Sequence, residues 1–200
     1  MSKLYFKYGP MESGKSAKLL MEAHGFMNRG IETICMKPYL DDRYGKDIIK
    51  SRIGLQLPCF VIYRHEDLYK TISDFISDLD DTKVKWVLID EAQFLTKEQV
   101  LQLRFAVDRL NVNVICYGIR TDFQTNVFEG SKRLFELADD IEEMKISCSC
   151  GRKAIFNARF NEIGQLVVNG EQVLIGGEDV YTPMCSKCYY ELLEKQNKIM

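Results

Sequence analysis

The string Gly9-Pro10-Met11-Glu12-Ser13-Gly14-Lys15-Ser16 sets two glycines in a short loop and follows the second with a lysine and a serine. Those residue types at that spacing suit phosphate chemistry. Glycines let backbone N–H groups turn inward around phosphates at the positive end of a helix dipole. Lys15 can then reach the β- and γ-phosphates, and the Ser16 hydroxyl is placed to bind Mg²⁺. Such a loop needs a carboxylate on a neighbouring strand, and Val87-Leu88-Ile89-Asp90-Glu91 supplies one: an apolar strand ending in two acids. Asp90 falls at the carboxyl edge of the sheet, where α/β proteins bind ligands, and is the expected partner of Mg²⁺, directly or through water. Glu91, bending toward the phosphate gap at the strand's end, is the expected general base for an attacking hydroxyl.

A second constellation consists of Cys148, Cys150, Cys185 and Cys188. Two close pairs of thiolates are enough for a closed tetrahedral site, with zinc the leading metal. The first pair has one intervening residue, and 34 residues separate the pairs. Four protein thiolates leave no open position, so a structural role is expected. Cys35, Cys59 and Cys116 lie in apolar strands and read as small core residues. An odd total of seven cysteines with no export signal favours thiols and metal ligands over a disulfide framework. His24 and His65 have no partners at catalytic spacing.

The elements that must position these groups read as an α/β fold: a P-loop, mostly parallel sheet flanked by helices, with a small zinc-binding, β-rich unit after it. Strands are predicted over 4–8, 31–37, 59–63, 84–90, 112–118 and 142–147, and helices over 15–29, 66–79, 96–110 and 131–138. Between 38 and 58 periodicity fades and charges accumulate, which predicts a long surface loop. From Cys148 glycines recur, strands become short and antiparallel in character, and a helical tail begins at Tyr189. The expected division is an ATP-binding domain over 1–146 and a zinc-binding domain with a C-terminal helix over 147–200.

Composition narrows the function classes. Of 200 residues 46% are hydrophobic and 28% charged, the balance of a soluble globular chain. With 27 basic against 29 acidic residues, a sequence-blind grip on nucleic acid is not expected. No apolar run approaches the roughly 20 residues that cross a bilayer, and the N-terminus lacks a signal-peptide profile, so the expected location is the cytoplasm, with no membrane partner. Asp90-Glu91-Ala92-Gln93 also fits the acidic motif of nucleic-acid helicases. Such motors generally close ATP between two domains of this kind, whereas only about fifty residues follow this sheet. A third possibility is a zinc protein that binds nucleotide without turnover. From the residues alone, the reading is a P-loop phosphotransferase with a zinc module.

Residues 9–16, Asp90-Glu91-Ala92-Gln93-Phe94, Tyr117-Gly118-Ile119-Arg120-Thr121-Asp122-Phe123 and Val173-Leu174-Ile175-Gly176-Gly177 together resemble thymidine kinases of the zinc-containing class found in bacteria and animal cytosol. The similarity spans nearly the whole chain. It implies transfer of the ATP γ-phosphate to the 5′-hydroxyl of deoxythymidine, forming dTMP for nucleotide salvage, with Asp90 on the metal side and Glu91 as base. It further implies feedback inhibition by dTTP and a homotetramer. Gln93, Asp41, Asp42 and Arg43 are implied at the phosphate donor, with Arg159 a weaker candidate for the transferred phosphate. The metal-anchored segment corresponds to the family's lasso, in which Gln172, Val173, Leu174, Ile175 and Gly176 meet the base largely through backbone groups. Phe123 and Tyr181 match family residues at the nucleoside, and Met11 and Leu95 are expected to add apolar wall.

Overall fold

The computed structural model describes residues 1–41, 45–77, 85–172 and 180–199. Its first half runs β1 (Leu4–Tyr8), α1 (Lys15–Met27), β2 (Glu32–Pro38), β3 (Ile48–Lys50), β4 (Gln56–Pro58), β5 (Phe60–Ile62), α2 (Leu68–Ser77) and β6 (Lys85–Ile89). A 3-10 turn (Ala92–Phe94), α3 (Lys97–Leu110), β7 (Asn113–Gly118), α4 (Glu129–Leu137) and β8 (Asp140–Glu143) follow. The chain then adds β9 (Phe156–Phe160), β10 (Leu166–Val167), β11 (Val180–Met184) and α5 (Ser186–Ile199). Six strands form one parallel sheet in the order β5-β2-β6-β7-β1-β8. A separate antiparallel sheet has the order β10-β9-β11. Among the described residues no helix is long and apolar enough to cross a membrane.

The pleat explains the continuous apolar runs. Side chains alternate between the two faces of a strand, so a strand covered on both sides must be apolar throughout. Ile34, Met36, Val87, Ile89, Val114 and Cys116 pack toward α2, α3 and α4, against Leu68, Ile72, Val100, Leu103 and Leu134. Cys35, Leu88, Ile115 and Tyr117 face the opposite way, against Leu19, Leu20 and Ala23 of α1. Their shared register brings the carboxyl ends of β1, β6 and β7 to one edge.

Three sequence expectations shift. The 38–58 region is not a plain surface loop, for it contains the β3–β4 hairpin, whose Ile49 is buried beside α1. Its anchor is a charge rather than an apolar stripe: Lys37 is only 1% exposed, and its Nζ donates to Gly45 O at 2.7 Å and Ile48 O at 2.8 Å. Asp41 Oδ2 lies 3.4 Å from the same nitrogen. The strand expected at 142–147 lies earlier, at β8, because pairing with β1 dominates there and Ile146 packs beside the cysteines instead. The final helix begins at Ser186, so Cys188 sits in its first turn.

Replacing Lys37 by Met keeps the volume but leaves two carbonyls and the Asp41 carboxylate without this cation. The expected cost is about 1–3 kcal/mol, seen as a Tm lowered by about 2–12 °C. An unchanged Tm would show that the ammonium does not anchor the hairpin.

Candidate functional site

Gly9 leaves β1 with its N–H donating to Gly118 O at 3.2 Å. A Cβ on Gly9 would lie 2.3 Å from Met144 O and 2.6 Å from Ser13 Oγ, so this turn closes only over glycine. Gly14 takes the left-handed conformation at φ +80° and caps α1 without a side chain. By contrast, Thr96 and Gln99 close the start of α3 with a reciprocal capping box. The N–H groups opening α1 therefore receive no acceptor from their cap residue and suit an anion. Lys15 is buried and folds back over the loop, its Nζ donating to Pro10 O at 2.7 Å, Gly9 O at 3.1 Å and Ser13 Oγ at 3.4 Å. Glu12, on the outer side, pairs with Arg52 from the β3–β4 hairpin.

Asp90 directly follows β6, its N–H donating to Met36 O at 3.0 Å. Its buried carboxylate accepts from the Glu91 N–H at 3.0 Å and lies beside the Ser16 hydroxyl. The serine of the loop and the aspartate of the neighbouring strand thus come close together. Burial first, and the Glu91 carboxylate second, raise Asp90 from 3.8 to about 7 against the opposing pull of Ser16, the Glu91 amide and Lys15. The chain then turns abruptly. Glu91 adopts φ 50°, ψ 37°, a left-handed conformation that non-glycine residues rarely take. Gln93, expected at the nucleotide, has both ends of its amide engaged: Nε2 donates to Glu91 Oε2 at 2.5 Å, and Oε1 accepts from Ile119 N–H at 3.2 Å.

The β9–β11 unit docks on this edge through polar contacts. Asn157 Oδ1 accepts from Met11 N–H at 2.7 Å, and its Nδ2 donates to Thr121 O at 3.1 Å. Gln172 Nε2 donates to Asp122 Oδ2 at 2.9 Å, while Tyr189 O–H donates to Phe123 O at 3.3 Å. The Arg159 guanidinium stands 4.9 Å from the centre of the Phe123 ring, and its cross-strand partner in β9–β11 register is Tyr181. Met11, Phe123, Gln172 and Tyr181 are thus placed on or beside one junction. Leu95 is not at a wall; it is buried in the core beneath α3 and α4. Asp42, Arg43, Val173, Leu174, Ile175 and Gly176 lie outside the described residues. No motif announces Asn157 or Tyr189, although Asp122 lies inside a motif that the sequence singles out.

The sulfurs of Cys148, Cys150, Cys185 and Cys188 all lie within 4.8 Å of one another, with 3.6 Å between Cys150 Sγ and Cys185 Sγ. Metal–sulfur bonds of about 2.3 Å in a tetrahedron give edges of about 3.8 Å, so the spacing fits. Backbone N–H groups, that of Cys150 foremost and then Cys185, hold the Cys148 thiol down to about 6. Hydrogen bonding with Cys150 first, and with the other two sulfurs, pushes Cys188 up to about 12. Four crowded sulfurs cannot all ionise alone, and a divalent cation would remove that conflict. The cluster could hold a metal ion.

The raised Asp90 value has a sign that can be measured. A carboxyl whose folded value is about 7 against 3.8 favours folding while protonated, and this contribution is lost as pH rises through 7. Asp90→Asn keeps the acceptor oxygen and removes the charge. In nucleotide-free, magnesium-free protein it should raise Tm at pH 8 by more than at pH 5; an equal shift at both would contradict the burial cost.

A family model described as thymidine kinase matches residues 2–189. A thymidine kinase of Haemophilus influenzae is 44% identical over 191 residues, covering 96% of this chain and 97% of its own. Those of Mannheimia succiniciproducens and Legionella pneumophila are each 45% identical; the first spans 92% of this chain and 93% of its own, the second 94% and 90%. Matches of this extent across a phosphate loop, a paired carboxylate turn and a four-cysteine cluster leave one assignment: the chain belongs to the thymidine kinase family of enzymes.

Proposed function

We propose that the chain transfers the γ-phosphate of ATP to the 5′-hydroxyl of deoxythymidine, giving dTMP and ADP. The observation that carries this reading is the proximity of Ser16 and Lys15 to the buried Asp90, beside a Glu91 whose left-handed backbone turns it out of the strand. In the proposed reaction the N–H groups of residues 9–16 cradle the phosphates, and Lys15 exchanges its loop carbonyls for phosphate oxygens. Ser16 and Asp90 would hold Mg²⁺, which when bound neutralises charge on the phosphates. Glu91 takes the proton of the 5′-hydroxyl as its oxygen bonds to the γ-phosphorus, and the bond to the β–γ bridging oxygen breaks. Asp41, Asp42 and Arg43 are assigned to the donor side. Met11, Phe123, Tyr181 and the segment from Gln172 through Val173, Leu174, Ile175 and Gly176 are assigned to the nucleoside.

In the same proposal the chain divides into an ATP-binding domain over 1–146 and a lasso domain over 147–200, with zinc held by Cys148, Cys150, Cys185 and Cys188 in a structural role. A cytoplasmic homotetramer serving nucleotide salvage, inhibited by dTTP with its nucleoside part in the acceptor site, completes it. The polar docking of Asn157, Gln172 and Tyr189 onto residues at the sheet edge supports this reading, since a unit seated there can cover a nucleoside.

The test pairs a phosphorylation assay over a nucleoside panel with ATPase assays in single-stranded DNA or RNA. The expected result is ATP-dependent monophosphate formation strongest with deoxythymidine, and a kcat about 10²–10⁴-fold lower in Glu91→Gln with ATP affinity retained. Hydrolysis stimulated by nucleic acid without monophosphate would establish a motor instead. Separately, Cys185→Ser should release bound zinc and raise KM for the nucleoside; wild-type metal content in that variant would remove Cys185 from the ligand set.

A further inference from the structure

Gln93 is 2% exposed and offers almost no surface to a ligand. Its amide instead spans two backbone segments, donating to Glu91 Oε2 at 2.5 Å and accepting from Ile119 N–H at 3.2 Å. The orientation is fixed by its partners, because a flipped amide would set oxygen against carboxylate and N–H against N–H. Ile119 is itself held, for its carbonyl accepts from the buried Ser131 hydroxyl at 2.6 Å. A chain of three hydrogen bonds therefore runs from α4 through the end of β7 to the Glu91 carboxylate. The fold leaves room for it. At Gly118 a Cβ would lie 2.9 Å from Gln93 Oε1 and 3.1 Å from Gln93 N, so the residue before Ile119 must lack a side chain for Gln93 to occupy this place.

We propose that Gln93 is a positioning residue, which aims the Glu91 carboxylate by clamping it to the end of β7, and is not a contact of the phosphate donor. The inference rests on the reading of Glu91 as the base. The left-handed backbone at Glu91 turns the side chain out of the strand but does not set its torsions; the Gln93 amide holds one carboxylate oxygen in place. A base displaced by about 1 Å can lose on the order of 10²-fold in rate.

The experiment compares Gln93→Met, Glu91→Gln and the double variant by steady-state kinetics with ATP and deoxythymidine. Met matches the length of Gln without donor or acceptor, and Gln93→Glu, which keeps the volume and sets a second carboxyl against the first, replaces it should the Met variant not fold. The expected result is a kcat lower by about 10- to 100-fold with KM for ATP within about 3-fold of wild type. In the Glu91→Gln background the same change should cost little more, because a residue acting through another has nothing left to position. Losses that multiply in the double variant would make Gln93 a structural residue and overturn the proposal. A raised KM for ATP with kcat retained would make it a donor contact and overturn it equally. Normal kcat in Glu91→Gln alone would instead overturn the base reading and this inference with it, so the two failures are told apart by the single variants.

Discussion

A carboxylate taken out of water at the end of a central strand is the constraint from which the site follows. Asp90 is buried, and the Glu91 amide, with the Ser16 hydroxyl and Lys15 near by, only partly offsets the loss of hydration. A second carboxylate follows immediately. Two acids side by side, with Lys15 turned onto carbonyls of its own loop, leave the edge of the sheet short of positive charge. A triphosphate alone would worsen this balance, and a divalent cation bound with it would offset part of the added charge. In the proposed reaction a metal-bound polyanion would therefore meet less repulsion at this edge than a bare one.

The same edge accepts the second sheet, and the cysteine cluster lies at both ends of that attachment. Cys148 and Cys150 precede β9, which carries Asn157 to the Met11 amide and Thr121 carbonyl. Cys185 and Cys188 join β11 to α5, and the residue after Cys188 is Tyr189, whose hydroxyl reaches Phe123 O. Cross-linking those two corners by a metal would fix the separation of Asn157 and Tyr189. In the proposed function a closed thiolate site would in this way support the nucleoside site without touching it.

Much of the parallel sheet was legible because strands covered on both faces cannot hide their composition: 84–90 and 112–118 were placed within a residue or two of β6 and β7. The phosphate loop was legible because its glycines are demanded by backbone geometry. The β3–β4 hairpin was not, since its strands are three residues long and its organiser is the ammonium of Lys37, an interaction between a side chain and distant carbonyls that leaves no periodic trace. At the site, Asp90 and Glu91 could be read from their position at a strand end. The engagement of Gln93 could not, because its partners Glu91 and Ile119 lie on different segments and a glutamine in a turn has no distinctive spacing.

Backbone conformation marks the same region independently of chemistry. Among the described residues, Glu12, Glu91, Asn111 and Thr125 have positive φ without being glycine. Asn111 is the C-cap of α3, an ordinary place for asparagine in the left-handed region. The other three fall in the phosphate loop, in the turn after β6 and in the 122–126 loop whose Asp122 receives Gln172. Each such residue costs about 1–2 kcal/mol against the right-handed alternative, and glycine at any of them would remove the cost. At Glu91 a glycine would turn the chain as well but carry no carboxylate. The strain thus gathers in three turns near the carboxyl edge of the sheet, and the proposed clamp on Glu91 converts a costly backbone turn into a fixed carboxylate.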